Sequence, residues 1–465
     1  MLNVGPNLSD RLFSNIDFSN GAVAAVSGGS DSTALLILLK EHLDRIAPAG
    51  KLLAVTIDHD LRQGSAAEAA AVASFCAERG IAHRVLTWAG RKPSTGLPAA
   101  AREARYRLLA EAALAAGIGL ILTGHTADDQ AETVLMRQAR NEVTRHDETR
   151  ENGRGLAGMA PATLHDWRKW IVRPLLRVRR AALREVLRRR GLGWVEDPTN
   201  VDPRFERPRM RSSLASDEGE RLFESAVARA AAAAAGREEI GLRAARLIAA
   251  FAGRPARGLI RLDRDFADSQ DRDAAAYALR ILLATVGGVS FLPDEERSRA
   301  LFARLGAGNL RATLSRTVVD ERGAGIFLHR EVRNLPPAAP AANGELWDGR
   351  RRITLNDRSD ELVIAPLGPA GAKSAPALAA APPSLLRAAL ASEPVVWRGS
   401  ERVDFAGGDD VSPAMEIVPV VAPFARFLPS FDLQPATAVA GLIGAPPLPP
   451  LPFRGHDRDG AWAKA

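Results

Sequence analysis

The stretch Ala24-Ala25-Val26-Ser27-Gly28-Gly29-Ser30-Asp31-Ser32-Thr33-Ala34-Leu35 decides the fold. It passes from an apolar strand, through small and acidic residues, into a helix with apolar periodicity. Gly28 and Gly29 allow positive φ and close approach to a ligand, and the hydroxyls of Ser27, Ser30 and Ser32 lie among free amides at a helix N-terminus. Such a cradle takes an anion. Asp31 would repel a phosphate unless a divalent cation lay between them. The loop therefore reads as a site for ATP with Mg2+, Ser27 to Ser32 facing the nucleotide and Asp31 the metal. It lacks the lysine of a G-x-x-x-x-G-K-[ST] loop, and the chain has no G-x-G-x-x-G fingerprint, which disfavours kinase-like and dinucleotide readings. A glycine-serine turn in which Asp31 merely caps a helix is the plainer alternative, and the surrounding chain has to decide.

Outward from this loop, the first half alternates short apolar runs with helical patterns. Strands are expected at Ala22–Val26, Leu52–Ile57, His83–Trp88 and Leu120–Thr123, with helices near 31–46, 65–79, 98–116 and 127–139. This rhythm predicts an α/β fold with a parallel sheet. Ligands of such sheets bind beyond the carboxyl ends of the strands, so Ser27–Ser32, Asp58–Arg62 and Gly124–Asp129 should meet on one rim. Asp58 closes the second strand and is expected against the nucleotide. An apolar segment from Trp170 to Leu176 and a basic helix from Arg179 to Arg190 follow.

Near Ser216 the texture changes to alanine- and arginine-rich helix, with the run Ala230–Ala235, and helical patterning continues to about Leu305. We therefore expect a catalytic domain over 1–213, a helical domain over 214–334, a small mixed α/β module over 335–443, and a proline-rich tail, extended or disordered, over 444–465.

At 465 residues and 46% hydrophobic, the chain has ample material for two or three cores. Its single cysteine, Cys76, cannot form an internal disulfide, which suits a reducing cytoplasm. The first residues lack the basic start and apolar run of an export signal, and no window is long and apolar enough to span a bilayer, so no membrane partner is expected. The net charge of +7 is carried almost wholly by arginine, with six lysines among 62 basic residues. Global charge bears on association with polyanions, and its local distribution says more.

The second cluster is Thr123-Gly124-His125-Thr126-Ala127-Asp128-Asp129-Gln130-Ala131-Glu132-Thr133. With a helix starting near Thr126, Asp128 and Glu132 share a face four residues apart, and Asp129 lies three residues from Glu132 on an adjacent one. Like charges at that spacing repel unless water screens them or a cation or amine lies between them. His125 beside them is either a structural donor or a participant. A third cluster, Arg102 with Arg105 and Tyr106, puts guanidinium groups on a helix near the loop, for phosphates or as a solvated face. The fourth is Trp194-Val195-Glu196-Asp197-Pro198-Thr199-Asn200 followed by Arg204, Arg207, Arg209 and Arg211. Together with Arg173 and the arginines of 177–190, it makes a basic region suited to a phosphate backbone.

The loop resembles that of the N-type ATP pyrophosphatases, which cleave ATP to AMP and pyrophosphate. The set of motifs resembles the bacterial tRNA(Ile)-lysidine synthetase family over about the first 213 residues: Ser27–Ser32, Asp58-His59-x-Leu61-Arg62, Ala101-Arg102-x-x-Arg105-Tyr106, Gly124–Met136, Gly155-Leu156-Ala157-Gly158-Met159, Arg173-Pro174-Leu175-Leu176 and Glu196–Asn200. The resemblance implies that ATP activates carbon 2 of the wobble cytidine in a CAU-anticodon tRNA(Ile), and that free L-lysine displaces AMP to form lysidine, changing decoding from AUG to AUA. It implies catalytic roles for Asp31, Arg105, His125, Asp128, Asp129 and Glu132. Asp31 would serve metal and pyrophosphate, and Asp128, Asp129 and Glu132 the lysine amine and the cytidine. Arg173, Asn200, Arg204, Arg209 and Arg211 would contact tRNA. The chain departs from the family pattern at Asn141–Arg154, where a long polar segment replaces a short glycine-rich turn.

A sulfur-inserting tRNA enzyme of the same superfamily would need more cysteines than Cys76. A small-molecule amidating ligase would leave the arginine-rich region and the Glu196–Asn200 motif unexplained, and a non-catalytic tRNA-binding protein would have no need of the intact acids. A homodimer stays open, since an isologous interface leaves no signature in one chain.

Overall fold

The structure is a computed structural model, and it describes residues 8–61, 64–144, 154–196, 206–214, 216, 218–356, 361–374, 381–403 and 415–453. The chain forms two compact units. One comprises residues 1–237 with 429–431 and 449–465, and the other residues 238–428 with 432–448.

The first unit begins with α1 (Leu8–Phe13) and then alternates strictly: β1 (Ala22–Ala25), α2 (Ser30–Ile46), β2 (Leu52–Asp58), α3 (Ser65–Ala77), β3 (Ala82–Thr87), α4 (Leu97–Ala115), β4 (Leu120–Leu122) and α5 (Ala127–Thr144). A hairpin, β5 (Ala162–His165) and β6 (Lys169–Val172), leads to α6 (Arg180–Arg189), α7 (Glu206–Leu214) and α8 (Gly219–Phe251). The sheet order is β5-β6-β4-β1-β2-β3. β1 pairs in parallel with both β2 and β4, β2 with β3, and β4 with β6, while β5 and β6 are antiparallel. The expected α/β class and all four strands and four helices of the first half are present, with ends shifted by a few residues except at α5, which runs on to Thr144.

The central strands are apolar along their length because helices cover both faces. Ala22, Val23, Ala24, Ile121 and Leu122 are fully buried. Small residues in β1 let α2 lie close, and Leu35, Leu36, Leu38, Leu39 and Leu43 give that helix its buried face. A Cβ on Gly124 would lie 3.0 Å from the backbone of Asp31 and Ser32, so any other residue there would press the end of β4 away from the start of α2 by a few tenths of an ångström.

The residues of α8 up to 237 are counted in the first unit and the rest in the second. The second unit carries the expected helical pattern as the distal part of α8, α9 (Arg272–Gly287) and α10 (Glu295–Phe302). It also holds an antiparallel sheet of β7 (Ala252–Ala256), β8 (Leu259–Leu262), β9 (Arg311–Leu314), β10 (Thr317–Arg322) and β11 (Gly325–Arg330), in the order β7-β8-β11-β10-β9. Two smaller antiparallel sheets with the helices Pro383–Ala391 and Leu433–Ile443 belong to the mixed C-terminal part. Of the proline-rich tail, residues 449–453 belong to the first unit. The Trp170 indole donates to the Pro450 carbonyl (2.8 Å), and the Asp17 amide donates to that of Pro452 (2.8 Å).

Candidate active site

Three strand ends of the first unit, β1, β2 and β4, open onto one cavity of about 920 Å³. From β1 comes the loop Ser27 to Ser32, from β2 His59, and from β4 Thr123 to His125, followed by the acids of α5. This is the rim that a parallel sheet with adjacent β4, β1 and β2 has to build.

The loop is shaped by one glycine rather than two. Gly28 has φ of +82°, while Gly29 sits at an ordinary −70° and is the N-cap of α2. A Cβ on Gly28 would come 3.1 Å from Val72 and 3.4 Å from Val195, whose amide donates to the Gly28 carbonyl (2.9 Å), whereas a Cβ on Gly29 would meet nothing nearer than the Ser27 hydroxyl at 3.7 Å. Gly28 therefore fixes the turn, and Gly29 keeps the space before the helix N-terminus clear. Ser32 Oγ accepts from the Ser27 amide (3.1 Å), closing the loop on itself.

On the far side of the cavity the acids gather around one guanidinium group. Arg180, the first residue of α6, donates from Nε to Asp31 Oδ2 at 2.8 Å, from Nη2 to Asp129 Oδ1 at 3.0 Å and from Nη1 to Glu132 Oε1 at 3.4 Å. Its backbone amide donates to Asp128 Oδ2 at 2.7 Å. Asp128 thus sits at the start of α6, where a carboxylate suits the helix dipole. The sequence places Asp128 four residues from Glu132 on one face and Asp129 three residues from it on an adjacent one. In the structure it is Asp129 and Glu132, three residues apart, that share a cation, because α6 takes Asp128 for its own N-terminus. Asp129 Oδ2 also accepts from the amide and hydroxyl of Thr126, both at 2.8 Å. Glu132 is 0% exposed and accepts from Arg211 Nε at 2.7 Å.

Burial pushes the carboxyls of Asp31 and Glu132 above their ordinary values, against the pull of Arg180 on Asp31 and of Arg211 on Glu132. Burial also works against the charge on Arg180, but Asp129, Asp31 and Glu132 outweigh it and hold the group protonated. His125, hydrogen-bonded to the Thr123 hydroxyl (3.0 Å), is held neutral by burial and by the nearby Arg173, Arg105, Arg102 and Arg207.

Arg105, which lines the cavity, lies against Tyr106, 0% exposed, whose ring has Arg102 and Arg105 over it at 5.1 and 5.0 Å. Burial alone would raise its phenol, but Arg105, Arg173 and Arg102 bring it down to about 7. The chain has only two tyrosines, so this is directly measurable. Absorbance of phenolate in a pH titration of the folded protein is expected to show one tyrosine ionising near 7, and the step should vanish in Tyr106→Phe. A single transition near the ordinary tyrosine value of about 10 would show that the arginines do not act on it.

A family model for the PP-loop domain matches residues 8–218. The chain is 63% identical over 460 residues to a tRNA(Ile)-lysidine synthase of Mesorhizobium japonicum, covering 99% of this chain and 100% of that protein. The chain belongs to the tRNA(Ile)-lysidine synthase family. A tRNA(Ile)-lysidine synthase of Brucella ovis is 41% identical over 356 residues, covering 75% of this chain and 77% of its own length. Among solved structures, the U34-tRNA thiolase NcsA from Methanococcus maripaludis aligns over 48% of this chain and 76% of its own, with TM-score 0.38 and 16% identity.

For this member of the lysidine synthase family, Ser27, Gly29, Ser30, Asp31, Ser32, Arg105, His125, Asp128, Asp129 and Glu132 all line the one cavity. Asp58 does not. Its carboxylate accepts from the Asp60 amide (2.9 Å), where the chain turns with φ of +50°, and His59 lines the cavity instead. Arg173 is 5% exposed and donates to the Ala160 carbonyl (2.7 Å) and the Thr163 hydroxyl (3.0 Å), so it braces β5 and presents no free surface to tRNA. Arg211 is turned inward onto Glu132, whereas Arg209 is exposed. Asn200 and Arg204, like Arg62 and residues 145–153 of the long polar segment, lie outside the described residues. Arg180 was not singled out by sequence. The available signal was charge balance, since four acids on one rim demand a cation and the arginine pair 179–180 opens the next helix.

Proposed function

We infer that this protein is an ATP-dependent ligase that forms lysidine on tRNA(Ile). The observation that carries the reading is that a phosphate cradle and an acid cluster open into one cavity, in a chain alike over its whole length to a lysidine synthase. In the reaction we propose, the carbon-2 oxygen of the wobble cytidine in a CAU-anticodon tRNA attacks the α-phosphate of ATP, and pyrophosphate leaves. The ε-amine of free L-lysine then attacks carbon 2. The ammonium loses one proton before the attack, the C–N bond forms as the C–O bond to AMP breaks, and the nitrogen then loses a second proton and keeps the third.

The residues divide that work by position. Backbone amides at the start of α2, kept open by Gly29, hold the phosphates. Asp129 and Glu132 hold the ammonium, and one of them takes a proton from it. A carboxyl raised by burial is a better acceptor than an ordinary one, which favours Glu132. His125, neutral, can accept or donate a hydrogen bond at the cytidine without adding charge, and Arg105 faces the activated substrate.

The donor set also fits Mg2+ held largely by nucleotide. Among the described residues no three His, Cys, Asp or Glu side chains form a metal cage, but Mg2+ needs only one or two carboxylates beside phosphates and water. Asp31, next to the cradle, is the residue placed to supply one. Bound there, the ion would neutralise charge on the phosphates. No described helix is long and apolar enough to cross a membrane, and we propose a cytoplasmic site of action, where lysine and tRNA are both present.

Mass spectrometry of nucleosides from CAU-anticodon tRNA(Ile), incubated with protein, ATP, Mg2+ and lysine, is expected to yield lysidine, with none in tRNA(Met). Absence of the adduct, in protein that binds ATP, would break the reading.

A further inference from the structure

The carboxylates proposed to receive the lysine ammonium are already occupied. Arg180 reaches Asp129 and Glu132 with its two terminal nitrogens and Asp31 with Nε, so one planar cation engages both the amine acceptors and the residue beside the phosphate cradle. An ammonium needs the same oxygens, and since Glu132 Oε1 already takes Arg211 beside Arg180, a third cation there would meet the repulsion of both. Within the cluster, Asp31, Asp128, Asp129 and Glu132 pair with Arg180, Arg211 and Arg179, the last shared with Glu220, so each guanidinium is matched by carboxylate.

We propose that Arg180 is a removable stand-in for the lysine ammonium, released by nucleotide. In the arrangement of the structure its guanidinium closes the amine site. When ATP enters the cradle next to Asp31, its phosphates offer that guanidinium stronger bidentate acceptors. Arg180 already holds Asp31, beside that cradle, while its backbone amide is tied to Asp128. With the group drawn to the phosphates, Asp129 Oδ1 loses the guanidinium hydrogen-bonded to it and Glu132 keeps only Arg211, and one ammonium then takes the place of the charge withdrawn. Lysine is thereby admitted only to a site that already holds ATP.

The proposal rests on the lysidine reading, and its test separates the two. Binding of radiolabelled lysine to the full-length protein is measured by equilibrium dialysis, with and without α,β-methylene-ATP and Mg2+. In the unmodified protein the nucleotide is expected to tighten lysine binding by about tenfold or more. Arg180→Gln is expected to bind lysine without nucleotide about as well as the unmodified protein does with it, and to lose the coupling. Equal lysine binding with and without nucleotide in the unmodified protein overturns the proposal with no variant involved, so poor folding of Arg180→Gln cannot shelter it. Weaker nucleotide-free binding by a folded Arg180→Gln also overturns it, by making Arg180 a permanent brace for the acids. Failure of the lysidine reading shows separately, as absence of lysidine in the tRNA assay by the same preparation.

Discussion

Glu132→Gln is expected to lower lysidine formation by about 10³-fold while ATP binding is retained. The substitution keeps the volume of the side chain and removes its charge. Glu132 is wholly buried and holds two guanidinium groups, Arg211 at 2.7 Å and Arg180 at 3.4 Å. Its loss takes one of the two ammonium acceptors and the better-placed base, and none of the phosphate cradle. The readouts are single-turnover lysidine yield and nucleotide binding by calorimetry. Near-normal yield would remove Glu132 from the chemistry, and joint loss of ATP binding would make its role structural. The sign of the pH dependence follows from burial. The folded carboxyl is raised, so the folded protein keeps this proton at pH values where the unfolded chain has lost it. Stability linked to Glu132 therefore declines as pH rises through the folded value, and the rate, which needs the ionised form, rises over the same interval.

How much of this was legible in the sequence differs between the two units, for a physical reason. In the first, strands buried on both faces must be continuously apolar and their crossover helices amphipathic, so Ala22–Ala25, Leu52–Asp58 and the helices between announce themselves. The rim follows from topology, and the loop and the acids with it. Partnerships across space were not legible. Arg180 lies 149 residues from Asp31 and reads as one more arginine in a basic helix, and Arg211 reads as a surface contact although it points at Glu132. Arg173 sounds like a phosphate ligand until the sheet closes over it. Gly29 looked like a second left-handed residue, but the N-cap of α2 needs only extended backbone there. In the second unit the alanine-rich background hid β7 and β8. β7 carries a glycine and a proline and is half-exposed, and its strand character comes from pairing with β8 rather than from its own pattern.

The same unit hides its strongest electrostatic feature in residues that read as surface charge. Glu393, 2% exposed, accepts from Arg350 Nη1 (2.7 Å), Arg257 Nε (2.9 Å) and Arg351. Asp348 likewise gathers Arg350 (2.8 Å), Arg330 (3.1 Å) and Arg316. Two carboxylates thus hold five guanidinium groups, and Arg350 belongs to both sets. Burial would raise the Glu393 carboxyl, but Arg351, Arg350 and Arg257 hold it well below the ordinary glutamate range. Removing one partner of such a buried network costs far more than the network's net contribution, since the charges left behind have lost both water and counter-ion. Glu393→Ala is therefore expected to destabilise the second unit by about 3–5 kcal/mol, read as a shift in urea midpoint. Glu393→Gln, which keeps the shape, should recover little, because the deficit is one of charge. The sign with pH is opposite to that of Glu132. A depressed carboxyl contributes its full stabilisation above the ordinary glutamate value and loses it as pH falls through the folded one. Acid unfolding of the unmodified protein should therefore include a component from this unit that Glu393→Ala lacks. If Glu393→Gln proves as stable as the unmodified protein, the arginines are satisfied by backbone carbonyls and water, and the network holds shape rather than energy.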